Sequence, residues 1–162
     1  MIESLSVEWK KFVNVYLIDR KVCRVEFSDY PVENSFESRV ARRLRRDLEG
    51  YFKGKEVDFC IYEVHINVTP FVRSVLKFVR SIPYGRTLTY GEVARSLKTS
   101  PRSVGRALNL NPTPILIPCH RVVSKGGLGG FSYGSKIKFE LLKLEGVRLL
   151  SSDDLAKAWL MR

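Results

Sequence analysis

From residue 67 to residue 114 the chain is punctuated so closely that it can hold only short helices. Thr69 precedes Pro70, a capping hydroxyl followed by the residue best suited to a first helical turn. Phe71, Val75, Phe78 and Val79 then recur at helical spacing, and that helix should end near Ile82-Pro83-Tyr84-Gly85. Thr89-Tyr90-Gly91-Glu92 fits a capping box and opens a helix through Leu97. Ser100-Pro101 opens the next, which runs through Val104, Ala107 and Leu108 to about Leu110. Asn111-Pro112-Thr113-Pro114 stops it. Two short helices joined by Lys98-Thr99-Ser100 make a helix-turn-helix candidate. Arg102 and Arg106 lie four apart on the second helix, and Ser103, Gly105 and Ala107 are small enough for backbone to approach a groove.

On the N-terminal side, Phe12 to Ile18 and Val22 to Phe27 read as a hairpin turning at Asp19-Arg20-Lys21. A helix is expected from Phe36 to Phe52 on the recurrence of Phe36, Val40, Leu44, Leu48 and Tyr51, ended by Gly50 and Gly54. Arg39, Arg42, Arg43, Arg45 and Arg46 fill the rest of it. This cluster could touch DNA, but Glu37, Asp47 and Glu49 sit among them, so a solvated, salt-bridged face is favoured. Val57 to Ile66 reads as a further strand. On the C-terminal side come an apolar run, Ile115-Leu116-Ile117, and Pro118-Cys119-His120-Arg121-Val122-Val123. A glycine-rich loop, Gly126 to Gly134, leads to a last helix from Ser135 to Glu145 with Ile137, Leu141, Leu142 and Leu144 apolar. Ser151 to Arg162 reads as another helix. The expected division is an α/β lobe over 1–66 and a mostly helical lobe over 67–162.

The net charge of +11 is unevenly placed. Residues 1–70 hold 12 basic and 12 acidic residues, and residues 71–138 hold 12 basic against one acid, Glu92. Spread charge would suit solubility, whereas a one-sided segment points to a polyanion, with nucleic acid favoured. No apolar run is long enough to span a membrane, and Met1-Ile2-Glu3-Ser4 opens no secretory signal, so a cytoplasmic protein is expected. Cys23, Cys60 and Cys119 are too few and too scattered for a disulfide framework or a structural zinc site, and no metal is expected. The chain has no glutamine and many charges, which fits a hot environment.

Chemistry points to Cys119. A thiolate is the strongest side-chain nucleophile, and a neighbouring base must take its proton. His120 adjoins it. Adjacent side chains in extended chain face opposite ways, so a bridging water serves as well as direct contact. A carboxylate must orient the imidazole, and Glu145 is the natural candidate. Cys23 and Cys60 read as small hydrophobes, and His65 as a surface or satisfied residue. The glycine loop lacks the Gly-Lys-Ser/Thr ending of a phosphate cradle.

Pro118-Cys119-His120-Arg121-Val122, preceded by Asn111-Pro112 and Ile115-Leu116-Ile117, resembles the signature of the O6-alkylguanine-DNA alkyltransferases. The likeness runs over residues 70–148, through Tyr84-Gly85, Thr89-Tyr90, Ser103-Val104-Gly105 and Leu144-Glu145-Gly146. The resemblance implies an RNase-H-like sheet in the first lobe and a helix-turn-helix in the second. It implies minor-groove binding to duplex DNA, with Arg102 as the finger that replaces a flipped base. Arg106, Ser103, Thr89, Ser100 and Arg121 would add DNA contacts. It further implies that Glu145 orients His120, that His120 deprotonates Cys119 through a water, and that Cys119 takes the alkyl group once. Tyr90 would help guanine leave, Asn111 would brace the turn, and Leu108, Val122, Gly130, Phe131 and Ser132 would form the pocket. O6-alkylguanine, and less well O4-alkylthymine, would be substrates of a monomer with no cofactor. Phe131 stands where many members carry Tyr, and the zinc ligands some members carry are missing. Other readings fit less well. A lesion binder without chemistry would lack the cysteine, a regulator would carry a sensing domain, and a papain-like hydrolase would leave the basic segment unexplained.

Overall fold

An unanticipated strand opens the chain. In the computed structural model, which describes residues 1–148, β1 (Ile2–Glu8) pairs antiparallel with β2 (Phe12–Ile18), and β2 with β3 (Lys21–Ser28), in the order β1-β2-β3. The helix expected over 151–162 lies outside the described residues. β1 escapes notice because its buried positions include polar Glu3 and Ser6 beside Leu5 and Val7, which blurs the alternation. Glu3 has a specific task. Its carboxylate accepts from the Glu37 and Ser38 backbone N–H groups, each at 2.8 Å, and from the Ser38 hydroxyl at 2.7 Å. The hairpin turn is Asp19-Arg20 alone, both with positive φ, as a two-residue turn matched to strand twist requires.

The helix α1 (Arg39–Phe52) starts three residues later than expected, because Ser38 caps it by accepting from Ala41 N–H. It continues through Gly50, and Gly54 lies beyond its end. Its buried residues are Ala41, Leu44, Leu48 and Tyr51. The strand expected from Val57 to Ile66 is replaced by a short 3-10 turn, Phe59–Ile61, and a single parallel bridge between Val22 and Val64. Cys60, read as buried, is exposed.

The chain divides into two compact units. The first is Met1–Asn67 with Pro112–Leu116, and the second is Val68–Asn111 with the described residues from 117 to 148. The short run 112–116 therefore joins the first unit, where Pro112 C=O accepts from Val25 N–H at 2.9 Å. Ile115 in this run has φ 75, a region β-branched residues avoid.

The second unit is mostly helical. Its α2 (Pro70–Arg80) is capped by Thr69, and its buried stripe is Val72, Val75, Leu76 and Val79, with Phe71 exposed rather than inward. A two-residue strand, β4 (Leu88–Thr89), leads into α3 (Tyr90–Leu97) through the full reciprocal capping box of Thr89 and Glu92. Lys98 ends α3 with a left-handed φ of 55, and Ser100 caps α4 (Pro101–Asn109). Each cap satisfies an otherwise orphaned N–H and stabilises by about 1 kcal/mol. The strand β5 (Val122–Val123) pairs parallel with β4, and α5 (Ser135–Leu144) closes the unit. No helix among the described residues is long and apolar enough to cross a membrane.

Candidate active site

Cys119 sits at the start of a 3-10 turn, Cys119–Arg121, entered through a tight reversal at Pro118. Pro118 has φ −78 and ψ 66, and Cys119 N–H donates to Ile117 C=O at 2.8 Å, the geometry of an inverse γ-turn. Asn111 Nδ2 donates to the same carbonyl at 2.9 Å, so Asn111 braces the reversal. Cys119 is 8% exposed and forms part of the wall of a cleft of about 250 Å³ with Tyr90, Gly105, Leu108, Gly130, Phe131 and Ser132. Burial pushes its thiol up, and the Asn111 side chain, the Lys138 charge and local backbone N–H groups oppose that shift.

Behind the cysteine lies a closed polar cluster. His120 Nε2 is 2.7 Å from Glu145 Oε2, and both side chains are fully buried. Burial would raise the Glu145 carboxyl, but its bonds to His120 and Arg121 outweigh that and hold it well below the usual range. An ionised carboxylate can only accept, so Nε2 of His120 carries the proton and Nδ1 keeps a free lone pair. Burial also pushes the imidazole below its ordinary value, which keeps the ring neutral and able to act as a base. Among the described residues, no protein group hydrogen-bonds Nδ1.

Arg121 completes this cluster instead of facing a nucleic acid. It is 7% exposed, donates from Nε to Glu145 Oε1 at 2.8 Å and from Nη2 to Oε2 at 3.1 Å, and reaches Ile82 C=O from Nη1. The expectation that Arg121 adds a DNA contact is corrected by this inward geometry. Gly85 N–H donates to the same carboxylate at 3.1 Å.

Lys138 is the residue the sequence reading missed. It is fully buried, and its three ammonium hydrogens have three acceptors: Val122 C=O at 2.6 Å, Gly130 C=O at 3.0 Å and Tyr90 OH at 3.4 Å. Burial brings it down to about 8, although Cys119 acts to raise it. The signal was present, since Lys138 stands three and four residues before Leu141 and Leu142, on their buried stripe. Val122, expected in the pocket wall, is buried with its carbonyl given to Lys138. Tyr90 donates to Gly130 C=O at 3.2 Å, and burial raises its phenol, so it remains a donor. Gly129 has φ 76, and a Cβ there would lie 2.6 Å from Tyr90 Cε2, so only glycine admits the Tyr90 ring.

On α4, Arg102 and Arg106 are exposed, and Ala107, expected near a groove, is buried. Gly105 faces Tyr90 across the cleft. The Thr89 and Ser100 hydroxyls both accept capping bonds, and Ser100 also donates to the Ser103 hydroxyl at 2.9 Å. Ser132 is exposed and donates to Asn109 Oδ1 at 3.4 Å.

Residues 70–147 match the family described as 6-O-methylguanine DNA methyltransferase, DNA binding domain. The methylated-DNA–protein-cysteine methyltransferase of Methanopyrus kandleri is 51% identical over 67% of this chain and 82% of its own length. That of Archaeoglobus fulgidus is 41% identical over 88% of this chain and 98% of its own. This chain belongs to the methylated-DNA–protein-cysteine methyltransferase family. Among solved structures, Mycobacterium tuberculosis OGT in complex with DNA is similar at 28% identity and a TM-score of 0.73, covering 88% of this chain and 92% of that one. The family match begins at Pro70, where α2 begins, and spans Cys119, His120, Lys138 and Glu145. No group of three or more His, Cys, Asp or Glu residues that could hold a metal occurs among the described residues.

Proposed function

We propose that this protein repairs O6-alkylguanine in duplex DNA by moving the alkyl group onto Cys119, with O4-alkylthymine a poorer substrate. The observation that carries this reading is the cleft-facing Cys119 backed by a neutral His120 whose other nitrogen is committed to Glu145. His120 Nδ1 takes the thiol proton through a water, and the Lys138 charge favours the thiolate as it forms. The sulfur lone pair attacks the alkyl carbon as the carbon–O6 bond breaks, and that electron pair goes to guanine. The Tyr90 hydroxyl supplies a proton to N3, and the proton held by His120 restores neutrality. The product thioether has no route back through water, so each molecule acts once.

The same reading assigns α3 and α4 as a helix-turn-helix entering the minor groove. Arg102 fills the place of the flipped base, and Arg106 and Ser103 meet the backbone. Phe131 and Leu108 wall the flipped base, with the Ser132 backbone N–H toward O6. Three antiparallel strands followed by α1 support reading the first unit as the RNase-H-like lobe. The protein acts as a cytoplasmic monomer.

Mass spectrometry of the protein after incubation with an oligonucleotide carrying O6-methylguanine tests the proposal. A single methyl gained on Cys119, with unmodified guanine left in the DNA, is expected. DNA binding by intact, reduced protein without a mass change would overturn it.

A further inference from the structure

The arginines of α1 form the salt-bridged face that the sequence suggested only in part, since Arg43 and Arg45 are paired and, among the described residues, the other three are not. At about 100° per residue, Arg39, Arg42, Arg43 and Arg46 fall within an arc of about 100°, opposite the buried Ala41, Leu44, Leu48 and Tyr51. All four are exposed. Asp47 and Glu49 reach only Arg43, at 4.0 Å, and Arg45, at 3.5 Å, and Arg45 lies off this arc. Among the described residues, Arg39, Arg42 and Arg46 make no ion pair.

Arg39 and Arg42 also stand in the first turn of α1, which carries no acidic residue. Cations there oppose the helix dipole, so the placement works against folding and needs another reason. The face continues onto the hairpin turn. A cleft of about 360 Å³ beside Arg43 is lined by Arg20, Lys21, Val40, Ile61 and Tyr62, with Asp19 and Glu63. Both acids are paired, Asp19 with the N-terminal amino group at 2.8 Å and Glu63 with Lys21 at 3.5 Å. Positive charge remains at Arg20, and Arg43 is held only at 4.0 Å by Asp47.

We propose that this face of the first unit is a second nucleic-acid contact, in which Arg39, Arg42, Arg43, Arg46 and Arg20 hold phosphates of a duplex. The inference rests on reading the chain as a DNA-acting protein. Seven residues of helix rise about 10.5 Å from Arg39 to Arg46, which matches about three base-pair rises of about 3.4 Å measured along the duplex axis. Guanidinium groups suit phosphate through paired N–H donors. The apolar lining of the cleft is Val40 and Ile61 with Tyr62, and Tyr62 is buried with its hydroxyl given to Asp47, which leaves little exposed aromatic or aliphatic surface for the centre that a protein partner would need.

The test is a triple variant, Arg39→Gln, Arg42→Gln and Arg46→Gln, which keeps helix-forming residues on an exposed face and leaves Arg43 beside Asp47. Affinity for an undamaged duplex is measured by fluorescence anisotropy across a salt series, with native unfolding followed as a folding check. Each lost phosphate contact lowers the salt slope by about 0.9, so a fall of about two to three is expected. Alkyl transfer from the free base O6-benzylguanine should be unchanged. A salt slope equal to that of the parent protein overturns the proposal, including when the variant has lost binding to an acidic protein or to anionic vesicles. If the parent protein transfers no alkyl group but the slope still falls, the repair reading fails and the second contact stands.

Discussion

His120 Nε2 and Glu145 Oε2 lie 2.7 Å apart with neither side chain reaching solvent, and Arg121 binds both oxygens of the same carboxylate. One buried anion therefore serves two purposes. It sets the histidine tautomer, and it neutralises the buried guanidinium. A buried ion pair that loses one partner is costly, because the other charge stays in a poor solvent.

Glu145→Gln should therefore harm stability and chemistry together. The amide presents donors where Arg121 also donates, and the unfolding free energy should fall by about 3–5 kcal/mol. Transfer to Cys119 should slow by about 10²-fold or more, as loss of an oriented base implies. Urea unfolding and single-turnover transfer measure the two. A folded variant with the parent's transfer rate would show that Glu145 does not orient His120 for catalysis.

Lys138→Met separates charge from bulk. Lys138 titrates at about 8 in the folded protein against 10.5 for an ordinary lysine. Between those values the unfolded chain binds more protons, so raising pH through this window adds stability. The same deprotonation removes the cation near Cys119. A single-turnover pH profile should show a limb with apparent pKa near 8, and Lys138→Met should abolish both that limb and the stability rise. A limb that persists in the variant would assign it to another group.

Gly129→Ala and Gly126→Ala make a matched pair. Both glycines have positive φ, so each variant carries about 1–2 kcal/mol of backbone cost. At Gly126 a Cβ meets nothing within 4 Å, whereas at Gly129 it meets the Tyr90 ring, Tyr90 OH and Ser124 Oγ. Transfer should be slowed by Gly129→Ala and kept by Gly126→Ala, read in the same single-turnover assay. Equal rates would show that the Tyr90 position does not matter.

Acid should weaken the first unit through Glu3. Burial would raise this carboxyl, but the bonds from Ser38 and Glu37 leave it lowered. A lowered folded value gives stability that is present above the unfolded value of about 4.3 and is lost as pH falls through the folded value. Glu3→Gln should lower stability at pH 7 and flatten its decline at low pH. Urea unfolding at pH 7 and at pH 3 checks both, and an equal decline in parent and variant would remove Glu3 from the account.

Short-range signals were the legible ones. Thr69, Thr89 and Ser100 cap α2, α3 and α4 where the sequence placed them, because a cap is a bond between residues three apart. The hairpin of β2 and β3 was legible for the same reason. β1 was not, since Ser6 and Glu3 turn inward toward partners 8 and 35 residues away, namely Asn14 and Ser38. The span from Val57 to Ile66 is apolar enough for a strand, yet only Val64 finds a pairing edge.

By itself the sequence determined the helix starts of the second unit, the concentration of positive charge there, and Cys119 beside His120 as the candidate nucleophile and base. These depend on neighbours in the chain and on residue type. The tertiary structure alone decided that Arg121 turns inward to Glu145, that Lys138 spends its three hydrogens on Val122, Gly130 and Tyr90, and that Arg39, Arg42 and Arg46 of α1 stay exposed and without an ion pair among the described residues. Those outcomes depend on which distant groups the fold brings within hydrogen-bond reach and which it shuts away from water. A buried charge then has to take the partners it finds there.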